Sequence, residues 1–351
     1  MTDLFATLAE LPDPFATSEA AAAGVNAWAL RQLVRHGAVL RLQRGVYRLR
    51  TAPPEEQRWE RIRRLHLERA RQALRAHRGH ALSHETAATA RGWWTSLHPD
   101  GDVHLTALRV QPRTRRVNGL WLHHSDSVTN DVEEVDGMPC LTAARTVADC
   151  LRTLRASNAV AVADSALRHR ATTRREVDAA LRSQRRWVGR PRAAEALELV
   201  DPRRETWLES TSFVTLAEAG IELPTPQVEV FDEHLQLVGR VDGMWIADGT
   251  VGEADGDGKY LRPDADSGPD PEVTSRAILA ERRRERAVER TGLVMVRWTR
   301  QEIRRDGFGV AARVRAGRAR GDLRRFRGRL RVDGEWLDLS RYLRHEGPPA
   351  A

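Results

Sequence analysis

Lysine is nearly missing from this chain. Of its 57 basic residues, Lys259 alone is lysine and the rest are arginine. Where almost every cation is written as arginine, a lone ammonium marks a place that uses a compact cation whose pKa can shift. Cysteine is scarce too. Cys140 and Cys150 are the only two, and their spacing makes neither a CxxC pair nor a disulfide framework, so a reducing cytosol is expected. No apolar run approaches the ~18 residues of a membrane span. The start, Met1-Thr-Asp-Leu-Phe, has no basic segment followed by an apolar core. These absences argue against a membrane partner and for a soluble, cytoplasmic protein. Metal-ligand spacing is also missing. His84, His104, His123 and His124 are scattered, with no cysteine pair beside them. They read as cap, strand-face and surface positions, and adjacent His123 and His124 cannot share one side of a strand.

What is present is positive charge. The 351 residues carry a formal charge of +8 and a sequence pI near 10.6. The length suits two or three domains. The charge suits a polyanion, although an Arg- and Ala-rich genome gives a similar composition. DNA is the expected partner, and RNA is the other polyanion that fits.

Residues 1–52 form the first expected domain. Leu4, Leu8 and Leu11 suggest a short helix. Thr17 or Ser18 can cap a second helix, which Gly24 closes. A third runs from Asn26 to His36, with Leu30, Leu33 and Val34 on one face. Strands Val39–Leu42 and Val46–Leu49 then flank Gln43-Arg44-Gly45. Helices followed by a basic hairpin give the winged helix-turn-helix order. Asn26, Arg31, Gln32 and Arg35 would face DNA, and Arg41, Arg44 and Arg48 would meet phosphates.

A mixed α+β body is expected over 55–200, after Pro53-Pro54. It has a long Arg-rich helix over 55–78, a helix at His84–Ala88 capped by Ser83, strands Val103–Thr106 and Leu120–His123, and helices from Ala143 onward. Arg145 and Asp149, four apart, read as a structural pair.

From residue 201 the pattern changes again. Glu209 lies in a helix that ends at Gly220. Gln227–Phe231 and Leu237–Val241 alternate as a hairpin, and Val251–Asp255 follows as a third strand. Glu253 and Asp255 share one strand face, and antiparallel pairing can bring Asp242 beside them. A helix over about 272–291, the strand Leu293–Trp298 and a closing helix near Arg300 complete an α/β core over 201–312. The stretch Arg313–Arg331 holds nine arginines against one acid, Asp322. It is expected to stay solvated or to lie along phosphates, as part of an extension over 313–351.

Two resemblances rest on these residues. Leu40-Arg-Leu-Gln-Arg-Gly45-Val-Tyr47-Arg-Leu49 looks like the wing of the AbiEi-type antitoxins. The order Ser-His-Glu, Val-His-Leu-Thr, Leu-Thr-Ala-Ala-Arg-Thr resembles the body of the same proteins over about 80–170. That resemblance implies operator binding and a cognate toxin partner. Glu253, Asp255, Gly256 and Lys259, with Asp242 upstream and Glu209 on the first helix, resemble the PD-(D/E)xK nucleases akin to very-short-patch-repair endonucleases. This second resemblance implies a restriction-endonuclease-like core that cleaves phosphodiesters. Asp242 and Glu253 would hold Mg2+, Asp255 or Glu209 would complete the site, and Lys259 would act at the scissile phosphate. Lys259 departs from the usual pattern, in which the lysine lies two residues after the acid. The alternative is a non-enzymatic repressor or antitoxin that uses a degenerate nuclease fold to bind a partner.

Overall fold

The computed structural model describes residues 7–8, 10–35, 39–49, 58–111, 113–124, 131–184, 187–256 and 283–343. They build a mixed α+β chain with three sheets, divided into two compact units, Met1–Asp149 and Cys150–Ala351. This grouping is coarser than the four expected segments.

The first unit begins with two short helices, Thr17–Ala22 and Ala27–Arg35. The expected cap at Thr17 or Ser18 moves back one residue. The Ala16 N–H donates to the Glu19 carboxylate (2.5 Å), so an acid in the first turn satisfies the open helix end. Strands β1 (Phe15–Ala16), β2 (Val39–Gln43) and β3 (Val46–Leu49) pair antiparallel in the order β1-β3-β2. Leu8, Phe15, Ala20, Val25, Leu30 and Val39 form the small core beneath them.

The helix Arg58–Ala76 follows and packs on a six-stranded sheet. Its strands are β4 (His80–Leu82), β5 (Val103–Ala107), β6 (Arg115–Val117), β7 (Leu120–His123), β8 (Val132–Val135) and β9 (Met138–Leu141), ordered β6-β7-β5-β4-β9-β8. β5 and β7 run parallel, and the helix His84–Ala90 links β4 to β5. Leu67, Leu82, Val103, Leu105 and Leu122 are among the buried residues that fuse helix to sheet.

The second unit takes in helices Ala156–Arg168, Arg174–Ser183 and Arg190–Glu198 together with the sheet domain that follows. One reason is a buried ion pair. Arg204 Nη1 lies 2.9 Å from Asp164 Oδ2, at 2% and 0% exposure, and Ser210 and the Asp201 N–H also donate to Asp164. These contacts clamp the helix Ala156–Arg168 to the helix Trp207–Glu218.

The sheet comprises β10 (Thr225–Phe231), β11 (Leu237–Trp245), β12 (Thr250–Asp255), β13 (Val294–Thr299), β14 (Arg329–Val332) and β15 (Glu335–Trp336), ordered β13-β12-β11-β10-β14-β15. β10, β11 and β12 form an antiparallel meander, and β13 lies parallel to β12. Both faces are covered. Phe213, Leu216, Trp298, Val310 and Val314 belong to one core, and Val228, Val230, Val241, Met244 and Val251 to another.

The Arg-rich stretch is neither a solvated tail nor a separate extension. The helix Gly307–Arg320 buries Val310, Ala311, Val314 and Gly317, and β14 pairs with β10. Several of the arginines find partners on the domain: Arg313 with Glu302, Arg318 with Asp248, and Arg331 with Glu229. Apolar residues at helical spacing decide the packing, and the interspersed arginines reach acids around them.

Candidate functional site

Two glycines set the geometry of the acidic centre. Gly243 on β11 and Gly252 on β12 face each other across the ladder. A Cβ at Gly243 would lie 2.6 Å from the Phe213 ring, and one at Gly252 2.8 Å from the Trp298 ring. Their bareness lets both aromatics press onto the strands, where they meet edge to face with centroids 6.0 Å apart. Phe213 is one helical turn after Glu209, so this packing also seats Glu209 on the sheet side of its helix.

Continuing the register from Gly243↔Gly252 sets Asp242 beside Glu253. Asp242 Oδ2 accepts the Ala254 N–H at 2.8 Å. Glu209, 3% exposed, accepts from the Glu205 N–H (2.9 Å) and from Gln227 Nε2 (2.7 Å). Burial pushes its carboxyl up to about 7, and repulsion from Asp242 adds to the rise. Asp242 therefore lies beside Glu253 on the ladder and near enough to Glu209 to raise its pKa.

Arginine has already reached these acids. Glu253 is 1% exposed, and its Oε2 lies 2.8 Å from Arg284 Nη2. Arg284 also donates to the Arg240 carbonyl (3.1 Å). Asp255 accepts a two-pronged bond from Arg297 of β13, at 2.9 and 2.7 Å. Lys259 lies outside the described residues, as does most of the helix expected over 272–291, of which 283–290 is helical.

Carboxylate oxygens are the right donors for Mg2+. The arrangement does not fit a resident ion. Arg284 covers one oxygen of Glu253, and Arg297 takes both oxygens of Asp255. Among the described residues these acids do not form a trio whose ligand atoms converge.

The expected DNA-facing residues divide. Arg41 and Arg44 are exposed on the β2–β3 hairpin. Arg48 is not available to phosphate. Its side chain is 13% exposed and pairs with Asp13 at 3.0 Å and with Glu68. Asn26 caps the helix Ala27–Arg35, accepting the Ala29 N–H at 2.9 Å, so a structural duty accounts for its oxygen. The side chains of Arg31, Gln32 and Arg35 lie outside the described residues. Arg145 does pair with the fully buried Asp149 (2.9 Å).

The histidines take a helix start and strand positions, as expected, but three of them meet. Ser83 does not cap its helix. Its hydroxyl lies 2.9 Å from His84 Nδ1 instead. His84, His104 and His123 gather, with His104 Nδ1 3.0 Å from His123 Nε2 and the His84 and His123 rings stacked at 3.9 Å. His124 stands apart from the trio and bonds Thr114. The three members come from a helix start and two parallel strands. No local spacing announces them; the β5–β7 pairing joins His104 and His123, and the helix that follows β4 supplies His84.

Comparison with known proteins bears on the amino-terminal segment first. Residues 3–50 match the family model described as "Transcriptional regulator, AbiEi antitoxin". The amino-terminal segment is thus similar to the regulator domain of the AbiEi-type antitoxins. Two curated relatives, uncharacterized proteins of two strains of Mycobacterium tuberculosis, are each 31% identical over 168 residues, which is 48% of this chain and 59% of the relative. The chain therefore spans about three-fifths of their length. No helix among the described residues is long and apolar enough to cross a membrane.

Proposed function

We propose that this chain is a DNA-binding transcriptional regulator of the AbiEi antitoxin type. Its first domain reads operator DNA as a winged helix, and its last domain serves as a platform for a partner, a cognate toxin in the first instance. The observation that carries this reading is the AbiEi match over residues 3–50. Two helices and a hairpin that presents Arg41 and Arg44 support it. The helix Ala27–Arg35 would enter the major groove while the hairpin grips phosphates. The test is binding to the DNA upstream of the protein's own gene against a scrambled duplex at fixed salt. A preference of about 1,000-fold or more is expected. Equal affinity for the two duplexes overturns the reading.

The second reading is a Mg2+-dependent nuclease, and the adjacency of Asp242, Glu253 and Glu209 favours it. The order of helix, antiparallel meander, helix and parallel strand also suits a restriction-endonuclease-like core. Against it stand Arg284 and Arg297, which neutralise the acids a metal would need. On the regulator reading, the chain leaves single- and double-stranded DNA intact in Mg2+ or Mn2+. Cleavage that disappears in Asp242→Ala and Glu253→Ala would replace that reading with the nuclease.

A further inference from the structure

We propose that His84, His104 and His123 form a binding site for one divalent transition-metal ion, with Zn2+ the best match. Each contributes one ring nitrogen, and the three ligand nitrogens lie within 4.8 Å of one another. A tetrahedral zinc with Zn–N bonds of ~2.05 Å holds its ligand nitrogens about 3.3 Å apart. The His104–His123 pair, at 3.0 Å, is already near that separation. Binding requires that pair to open slightly and the His84 nitrogen to close in. These are side-chain movements within a built site.

The surroundings are arranged to hold such ligands. His104 and His123 stand on adjacent parallel strands, in pairs His104↔Trp121 and Thr106↔His123. Trp121 stacks along both rings, at 6.4 and 5.9 Å, and its indole N–H is fixed by Asp102 (2.9 Å). The His104 backbone N–H donates to Thr86 Oγ1 (2.9 Å), and the Ser83 backbone N–H donates to the His104 carbonyl (3.1 Å). Ser83 Oγ meets His84 Nδ1 at 2.9 Å. Of these contacts, the one from the Ser83 hydroxyl holds a ring nitrogen of His84, as the outer partner of a ligating histidine does, which fixes tautomer and orientation.

Two further facts favour an ion over plain packing. His84 is 3% exposed and has φ of +52°. A non-glycine residue in that region is strained and persists where the surroundings require it. Three imidazoles and no thiolate also suit zinc better than a hard cation, which prefers oxygen. With three protein ligands, the fourth position falls to water or to an incoming anion. The ion would tie the start of the helix His84–Ala90 to β5 and β7. The site is independent of the acidic centre and of the regulator reading.

The test uses the full chain, stripped with a chelator and titrated with Zn2+ against a chromophoric competitor. Co2+ serves as a spectroscopic stand-in. One ion per chain is expected, with the intense visible bands of tetrahedral Co2+ and a raised Tm. His104→Gln and His123→Gln should each weaken binding at least about 100-fold, beyond the 10–100-fold typical of losing an outer partner. Ser83→Ala should weaken it about tenfold. His124→Gln and the pair Asp242→Ala/Glu253→Ala should leave it unchanged. Circular dichroism of each stripped variant checks that the fold persists. Failure to bind a stoichiometric ion overturns the proposal, as does binding that survives both His104→Gln and His123→Gln.

Discussion

Arg284 lies 2.8 Å from Glu253, a carboxylate buried to 1% exposure between β11 and β13. Most of the arginine is buried beside it, at 25% exposure. Taking away the guanidinium strands a desolvated charge, which costs more than the pair contributes net. Arg284→Gln should therefore lower stability by about 2 kcal/mol. Glu253→Gln added to it should recover part of that loss. Urea unfolding of the four-member cycle should give a coupling energy of about 1–3 kcal/mol. Additive single losses would mean that the two side chains do not depend on each other.

The sequence made the scaffold of this centre readable, and missed its charge balance. Alternation over 227–231 and 237–241 gave the hairpin of the meander, and the two-residue strand period put Glu253 and Asp255 on one face. Glu209 was legible only through the nuclease resemblance, which sets an acid on the first helix. Arg284 and Arg297 lie 31 and 42 residues beyond their acids. Nothing in local pattern distinguishes them from the other arginines. The same blindness applies to Arg48, whose acid partners come from before the hairpin and from the helix Arg58–Ala76, and to the histidine trio, which strand pairing and the helix after β4 assemble. The run 313–331 misled because its arginines outnumber the few apolar residues that anchor it.

Asp164 and Arg204 hold two helices of the second unit together. Burial pushes the Asp164 carboxyl up, to about 6, against the pull of Arg204 and Ser210. Near neutral pH the carboxylate is charged and fully enclosed. Asp164→Asn leaves Arg204 buried without its counter-charge, and a loss of about 3 kcal/mol in denaturant unfolding is expected. A loss under 1 kcal/mol would show that the pair does not clamp the unit.

Glu209 gives the acidic centre a pH signature. Its folded pKa of about 7 stands above the ordinary 4.5. Between those values the folded state keeps a proton that the unfolded chain has released. Its contribution to stability is thus present below pH 4.5 and is lost as pH rises to about 7. Glu209→Gln removes this slope. The variant should gain stability relative to the parent across pH 4.5–7, measured by unfolding at several pH values. Parallel profiles would place the Glu209 carboxyl in an ordinary, solvated setting.

DNA affinity across salt tests the central claim most directly. The parent chain should lose affinity steeply as salt rises, with a log–log slope of about −0.9 for each phosphate neutralised. Arg41→Ala/Arg44→Ala should bind more weakly, with a slope shallower by about two contacts. Arg48→Ala, which breaks a pairing inside the protein, should lower the melting temperature instead. An affinity and slope unchanged in the double variant would contradict a phosphate-gripping hairpin, and with it the account of this protein as a DNA-binding regulator.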